Sequence, residues 1–150
     1  MIRKRTRARE CALQFLYQLE INPAPLEELL KEFWNLDDQK DVSDDIREFS
    51  EAVIRGTWEH RDEIDRVVNN YADNWTIGRM AAIDRNILRF AVFELLYRGD
   101  IPPKVTINEA VNLAKKFSQE ESGKFVNGIL DKINHTEQPR IPKADAEKDG

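Results

Sequence analysis

Apolar residues recur at helical spacing along almost the whole chain, and strand-type alternation is nearly absent. Ala8, Cys11, Ala12, Phe15, Leu16 and Leu19 fall at i, i+3, i+4, i+7, i+8 and i+11, one stripe down the side of a helix. The stripe ends near Asn22-Pro23, because a residue before proline avoids helical backbone. Leu26, Leu29, Leu30, Phe33 and Trp34 repeat the pattern from about Pro25. A polar, acidic loop over residues 35–42 leads to a third helix capped by Ser43. Asp44 and Asp45 sit at its positive end, and Ile46, Phe49, Val53 and Gly56 face inward. Ile64, Val67, Val68 and Tyr71 mark a fourth helix over residues 61–72. After a break at Asp73-Asn74, the spacing predicts a long fifth helix from Ile77 to Tyr97, lined by Ile83, Ile87, Phe90, Ala91 and Leu95. Thr106-Ile107-Asn108-Glu109 has the form of a capping box that opens a sixth, followed by Ala110, Leu113, Ala114 and Phe117 on one side. The seventh runs through Phe125, Val126, Ile129, Leu130 and Ile133. The pattern is that of an all-α chain of about seven helices.

Length limits how those helices assemble. At 150 residues the chain forms one domain, or two small bundles sharing a core. From Asn134 the stripe is lost, charge dominates and Pro139 and Pro142 intervene, so residues 134–150 read as a flexible charged tail. No window approaches the roughly 18 to 20 apolar residues of a membrane span. No apolar segment follows the basic N-terminus as a secretory signal requires. A single cysteine, Cys11, forms no internal disulfide and suits a reducing cytoplasm. His60 and His135 have no cysteines at ligand spacing, so no zinc signature is present, and no Gly-rich loop offers a phosphate or cofactor cradle.

The net charge of −5 is unevenly spread. Residues 1–9 carry Arg3, Lys4, Arg5, Arg7 and Arg9 with no acid, whereas residues 20–65 carry fifteen acids against five bases. A concentrated basic arm on an acidic body gives a local field that attracts phosphate in one place and repels it elsewhere. Arg5 and Arg9 are four residues apart and share a helix side, Arg7 projects elsewhere, and Tyr17 lies two further steps of four beyond Arg9. Arginines with a reachable ring suit single-stranded RNA, whose phosphates take the guanidinium groups and whose splayed bases stack on aromatics. Tyr71 and the Lys124-Phe125 pair extend such a surface if the C-terminal helices pack beside the first. The competing reading makes Tyr17 and Phe125 core residues.

Catalytic chemistry has little to stand on. Cys11 lies on the apolar stripe and reads as a small buried hydrophobe. His60 sits at a helix junction, where a capping or exposed role suits it. The run Asp37-Asp38-Gln39-Lys40-Asp41 lacks the turn glycine and terminal glutamate of a calcium loop. Glu94 falls on the inner side of the fifth helix, where a carboxylate needs a partner; a structural bridge to backbone or to Arg85 or Arg89 explains it better than catalysis.

Several blocks together resemble one family. Arg7-Ala8-Arg9-Glu10-Cys11-Ala12-Leu13-Gln14-Phe15-Leu16-Tyr17 is similar to the opening of the NusB family of bacterial transcription antitermination factors. Ile83-Asp84-Arg85-Asn86-Ile87-Leu88-Arg89-Phe90-Ala91-Val92-Phe93-Glu94-Leu95 resembles its long-helix signature. Pro103-Lys104-Val105-Thr106-Ile107-Asn108-Glu109-Ala110-Val111 and Lys124-Phe125-Val126-Asn127-Gly128-Ile129-Leu130-Asp131 follow in the family's order. The resemblance implies two packed small helical bundles within one domain over residues 1–133, divided into about 1–72 and 73–133. It also implies a non-enzymatic adaptor without cofactor or metal. Such an adaptor binds boxA single-stranded RNA with the small-subunit ribosomal protein NusE, joins an antitermination complex on RNA polymerase and supports ribosomal RNA transcription. Carried over by position, the RNA-binding residues are Arg5, Arg7, Arg9, Tyr17, Tyr71, Lys124 and Phe125. Glu121, just before the last helix, balances partner against RNA binding. Thr6 stands where many relatives have another arginine, which lowers the expected phosphate contacts.

Two rivals share this fold. NusB-like domains also occur fused to ribosomal RNA cytosine methyltransferases, and a purely protein-binding or self-associating bundle would use the arm against an acidic partner. Family relatives occur as monomers and as homodimers, and the residues leave that choice open.

Overall fold

A computed structural model describes residues 3–73 and 75–144. Among the described residues there are seven α-helices and no strand: α1 (Lys4–Ile21), α2 (Leu26–Trp34), α3 (Asp44–Glu59), α4 (Arg61–Tyr71), α5 (Ala82–Tyr97), α6 (Pro103–Phe117) and α7 (Glu120–Thr136). Short 3-10 turns occupy Asp37–Gln39 and Ile77–Arg79. The helices form two compact units, Met1–Arg55 and Gly56–Gly150, and the boundary falls inside α3. α4 packs on α5 and α7, so it belongs to the second unit.

In the first unit the α1 stripe is buried as its spacing requires: Ala8, Cys11, Ala12, Phe15, Leu16 and Leu19 are all core residues. Phe15 meets Phe33 of α2 edge-to-face at 5.6 Å, and Phe33 meets Trp34 at 5.0 Å. Such pairs add about 0.5–1.5 kcal/mol beyond area burial. The indole N–H of Trp34 stays satisfied by donating to Glu51 Oε2 at 2.7 Å. Ser43 precedes α3; its carbonyl accepts from the Arg47 N–H at 3.0 Å and its hydroxyl donates to Asp45 at 2.6 Å.

In the second unit α5 is the central element, packed by α4, α6 and α7. Ile87, Leu88, Phe90, Ala91, Val92, Leu95 and Leu96 are buried, so the helix is apolar nearly all round, as a core helix is. It is shorter than the predicted Ile77–Tyr97. Met80 and Ala81 adopt extended backbone with ψ of 157° and 141°, and the Met80 carbonyl accepts from Arg85 at 2.6 Å instead of continuing the ladder. The preceding 3-10 turn is anchored by Asn69, whose side chain accepts from the Ile77 N–H at 2.7 Å. α4 stops at Ala72, where Asp73 takes the left-handed φ of 44° that Asp tolerates better than most residues.

Thr106 to Glu109 do not form the expected capping box. α6 starts earlier, with Pro102 as cap and Pro103 at its first position, where a fixed φ and a missing N–H are harmless. The Thr106 side chain is thereby placed inside the helix and turned toward the core, where its hydroxyl donates to Glu94.

The chain after α7 also departs from the sequence reading. The last helix continues to Thr136, and the N–H groups of Arg140 and Ile141 both donate to the Leu96 carbonyl, at 2.8 and 3.0 Å. Lys143 Nζ donates to the carbonyls of Glu94, Arg98 and Ile101 at 2.8 to 2.9 Å, capping the C-terminal end of α5. Cations favour that end because the last carbonyls there lack helical partners. Residues 137–144 are thus tied to α5, whereas the rest of the proposed tail, 145–150, lies outside the described residues.

Candidate nucleic-acid interface

The predicted site residues divide between the units, and each group is described within its own. In the first unit, α1 begins with no acid in its first turn and with Arg3 at the cap position, making no side-chain cap hydrogen bond. Arg3, Lys4 and Arg5 are exposed there. Cations at the positive end of a helix raise one another's energy, so this end is primed for an external anion. α3 restrains it. Lys4 Nζ lies 2.8 Å from Asp45 Oδ2, and this hydrogen bond, with that of Ser43, holds the Asp45 carboxyl down at about 2.

The three arginines have different surroundings. Arg5 and Arg9 share a helix side, and both place their guanidinium groups on the Phe49 ring of α3, with Cζ at 4.4 and 5.2 Å from its centroid. Arg5 is exposed, whereas Arg9 is only 2% exposed. Arg9 borders the buried Ala8–Ala12 stripe, and the Phe49 ring lies against its guanidinium. Arg7 reaches across to the 3-10 turn, donating to the Asp38 carbonyl at 3.3 Å and to Gln39 Oε1 at 3.0 Å, and its side chain stays 30% exposed. Gln39 is buried and also donates to Gln14 at 3.0 Å. Tyr17 is exposed on α1, not part of the core. Cys11, beside Gln39, has its thiol pushed up by burial, which keeps it protonated and unreactive.

In the second unit, Phe125 meets Trp75 edge-to-face at 6.3 Å, beside a hollow of about 320 Å³. Its walls include Trp75, Arg79, Asp84, Ser118, Glu121 and Phe125. Ser122 donates to Asp84 Oδ2 at 3.2 Å, while Asp84 Oδ1 is buried without a hydrogen-bond partner. Glu121 lies in the first turn of α7, not before the helix, because the helix begins at Glu120. Lys124 is exposed one position before Phe125. Tyr71 is not a wall of this hollow; its hydroxyl donates to Glu137 Oε2 at 2.6 Å.

Sequence patterning alone singles out neither Trp75 nor Asp84 as a site residue. A tryptophan directly after the break at 73–74, outside any apolar stripe, was the available signal, and its 51% exposure bears that out. Asp84 gave none, since one acid on a helix reads as solvated. Among the described residues, no three His, Cys, Asp or Glu side chains gather where they could hold a metal ion. No described helix is long and apolar enough to cross a membrane.

These features define an all-α protein that presents a cationic helix end in one unit and an aromatic, carboxylate-containing hollow in the other. The chain belongs to the NusB family, whose model matches residues 6–135. It is 50% identical over 138 residues to the transcription antitermination protein NusB of Thermodesulfovibrio yellowstonii, covering 87% of this chain and 91% of that one. Against the NusB of Myxococcus xanthus the identity is 48%, covering 86% and 93%. Among solved structures, T. maritima NusB superposes with a TM-score of 0.81 at 39% identity, covering 93% of this chain and 96% of that one. A crystal structure of the antitermination factors NusB and NusE in complex with dsRNA gives a TM-score of 0.80 at 30% identity, covering 90% and 98%.

Proposed function

We propose that the chain is a non-enzymatic RNA-binding adaptor that takes a boxA-type RNA together with a NusE-type ribosomal protein and supports transcription antitermination, especially of ribosomal RNA. The observation that carries the reading is the cationic first turn of α1 in a chain of this family. A solved relative whose crystal holds NusB, NusE and dsRNA supports an RNA and a NusE-type protein as partners. Arg5, Arg7 and Lys124 neutralise phosphates. Tyr17 offers a stacking face, and the hollow beside Phe125 and Trp75 seats an unpaired base. Its shape favours single-stranded RNA, because a base must leave its stack to enter a side pocket. Arg9 supports the arm from below, and Tyr71 contributes from the end of α4. Glu121, on the wall of the hollow, sets the balance between partner and RNA through its charge. On the same reading the two units act as one domain, within a cytoplasmic antitermination complex on RNA polymerase.

Fluorescence anisotropy with a short boxA RNA, a scrambled strand and a duplex, each with and without the ribosomal protein, tests this. Selective binding of the single boxA strand, strengthened by the partner and weakened by Arg5→Ala and Tyr17→Ala, is the expected result. With about three phosphates contacted, the log–log salt slope is about −2. Titrations at several protein concentrations separate monomer from homodimer, since a dimer covering α1 competes with RNA. Equal binding of all three RNAs, or none, with the partner still recruited, overturns the RNA reading and leaves a protein-interaction bundle.

A further inference from the structure

By its spacing in the sequence, Phe49 is a core residue of α3. Its surroundings are not those of an ordinary core ring. It is 8% exposed, and two guanidinium groups one helical turn apart on α1 lie over it, the exposed Arg5 at 4.4 Å and the buried Arg9 at 5.2 Å. We infer that Phe49 is a positioning residue for RNA binding: its ring holds the Arg5 guanidinium in place for a phosphate, and Arg9 braces the ring instead of touching the RNA. This rests on the function proposed above.

The physical need comes from the helix end. Arg3, Lys4 and Arg5 repel one another and the helix dipole, and a long arginine side chain loses rotamer freedom when a phosphate fixes it. A ring under the guanidinium removes much of that freedom before binding, which is how preorganisation gains affinity. The ring is attractive to cations on its face, and an exposed guanidinium held over it presents its N–H groups to an incoming phosphate in one orientation. Lys4, beside Arg5 in the same turn of α1, pairs with Asp45 of the same helix, so α3 meets the arm at two points. Arg9, at 2% exposure, has no route to a phosphate, yet it lies against the same ring.

A double-mutant cycle on boxA binding tests the inference, using Phe49→Leu, Phe49→Tyr, Arg5→Ala and Arg5→Lys in the full chain. Phe49→Leu is expected to weaken binding about three- to tenfold, with Phe49→Tyr close to the parent. In the Arg5→Ala background the Phe49→Leu effect on RNA binding vanishes, since Arg9, which still lies on the ring, does not touch the RNA. Arg5→Lys sits at an exposed position and leaves the fold intact if Phe49→Leu does not fold. It keeps the charge but loses the planar stack, and its expected loss is also about threefold or more. Thermal melting of each variant separates unfolding from lost positioning. Independent losses for Phe49→Leu and Arg5→Ala, or parent-like binding by Arg5→Lys, overturn the inference while the adaptor reading stands. Failure of the parent chain to bind boxA overturns both.

Discussion

Thr106 donates its hydroxyl to Glu94 Oε1 at 2.7 Å, joining α6 to α5 through two side chains that are 1% and 0% exposed. A carboxylate at that depth is costly without donors, so this bond answers the need that the position of Glu94 creates. Thr106→Val preserves shape and removes one donor to a buried acceptor. The expected loss is about 1.5–3 kcal/mol of unfolding free energy, with Thr106→Ser losing less, measured by urea denaturation.

Gly56 of α3 faces the ring of Phe93 on α5, and a Cβ at position 56 would overlap that ring. The ring cannot move away cheaply. Phe93 is 6% exposed and lies nearly parallel to the rings of Tyr97 at 5.9 Å and His60 at 6.4 Å, which are themselves 3.9 Å apart. Gly56→Ala therefore overpacks the second unit, with an expected cost of about 1–3 kcal/mol. Adding Phe93→Leu to Gly56→Ala is expected to recover part of the loss in thermal melts, because it removes the atoms that the new methyl meets.

The C-terminal segment is held by a clasp whose titration has a definite sign. Arg140 lies 3.3 Å from Glu63 and 3.1 Å from Glu137, Tyr97 donates to Glu63, and Tyr71 donates to Glu137. The Tyr97 hydrogen bond is the main cause that lowers the Glu63 carboxyl, and the Tyr71 hydrogen bond does the same for Glu137. A depressed carboxyl contributes stability above its unfolded value near 4.5, and that contribution is lost as pH falls through the lower folded value. The two tyrosines are raised from 10, Tyr97 chiefly by burial and Tyr71 chiefly by its bond to Glu137. Their contribution is present below pH 10 and lost above it. Melting temperature is expected to fall below about pH 4.5 and again above pH 10. In Tyr71→Phe/Tyr97→Phe both slopes flatten; unchanged slopes would remove the clasp from the account.

The helices were legible because their stripes follow one period. The α1 residues from Ala8 to Leu19 needed only that pattern to be placed in the core. Misreadings arose where a second cause competed. Thr106-x-x-Glu109 has the capping-box letters, but Pro102-Pro103 starts the helix a turn earlier and Glu94 claims the hydroxyl. The fifth stripe runs on past Met80, yet the backbone there is extended. Charge count marked residues 1–9 as a cationic arm, but only tertiary contacts separate the exposed Arg5 from Arg9 under Phe49 and Arg7 at Gln39. The hollow was illegible for a related reason: Trp75, Asp84, Glu121 and Phe125 come from separate elements, and no local spacing links them.

That separation of roles gives a last prediction, in which two substitutions of similar affinity cost differ in kind. Arg5→Ala removes a cation at the helix end, so it is expected to make the log–log salt slope shallower by about 0.7 for one single-strand phosphate. Phe125→Ala removes a ring from the hollow and no charge. It is expected to weaken boxA binding by about 1–3 kcal/mol, the usual stacking contribution per base, while leaving the slope unchanged. Trp75, 6.3 Å from Phe125 and 51% exposed, reports on the same place. Its fluorescence is expected to change when RNA binds the parent chain, and that change should disappear in Trp75→Phe, although Trp34 and Trp58 remain. A signal that survives Trp75→Phe would place the base elsewhere. A slope that falls with Phe125→Ala would mean that the hollow works through phosphate and not through the base.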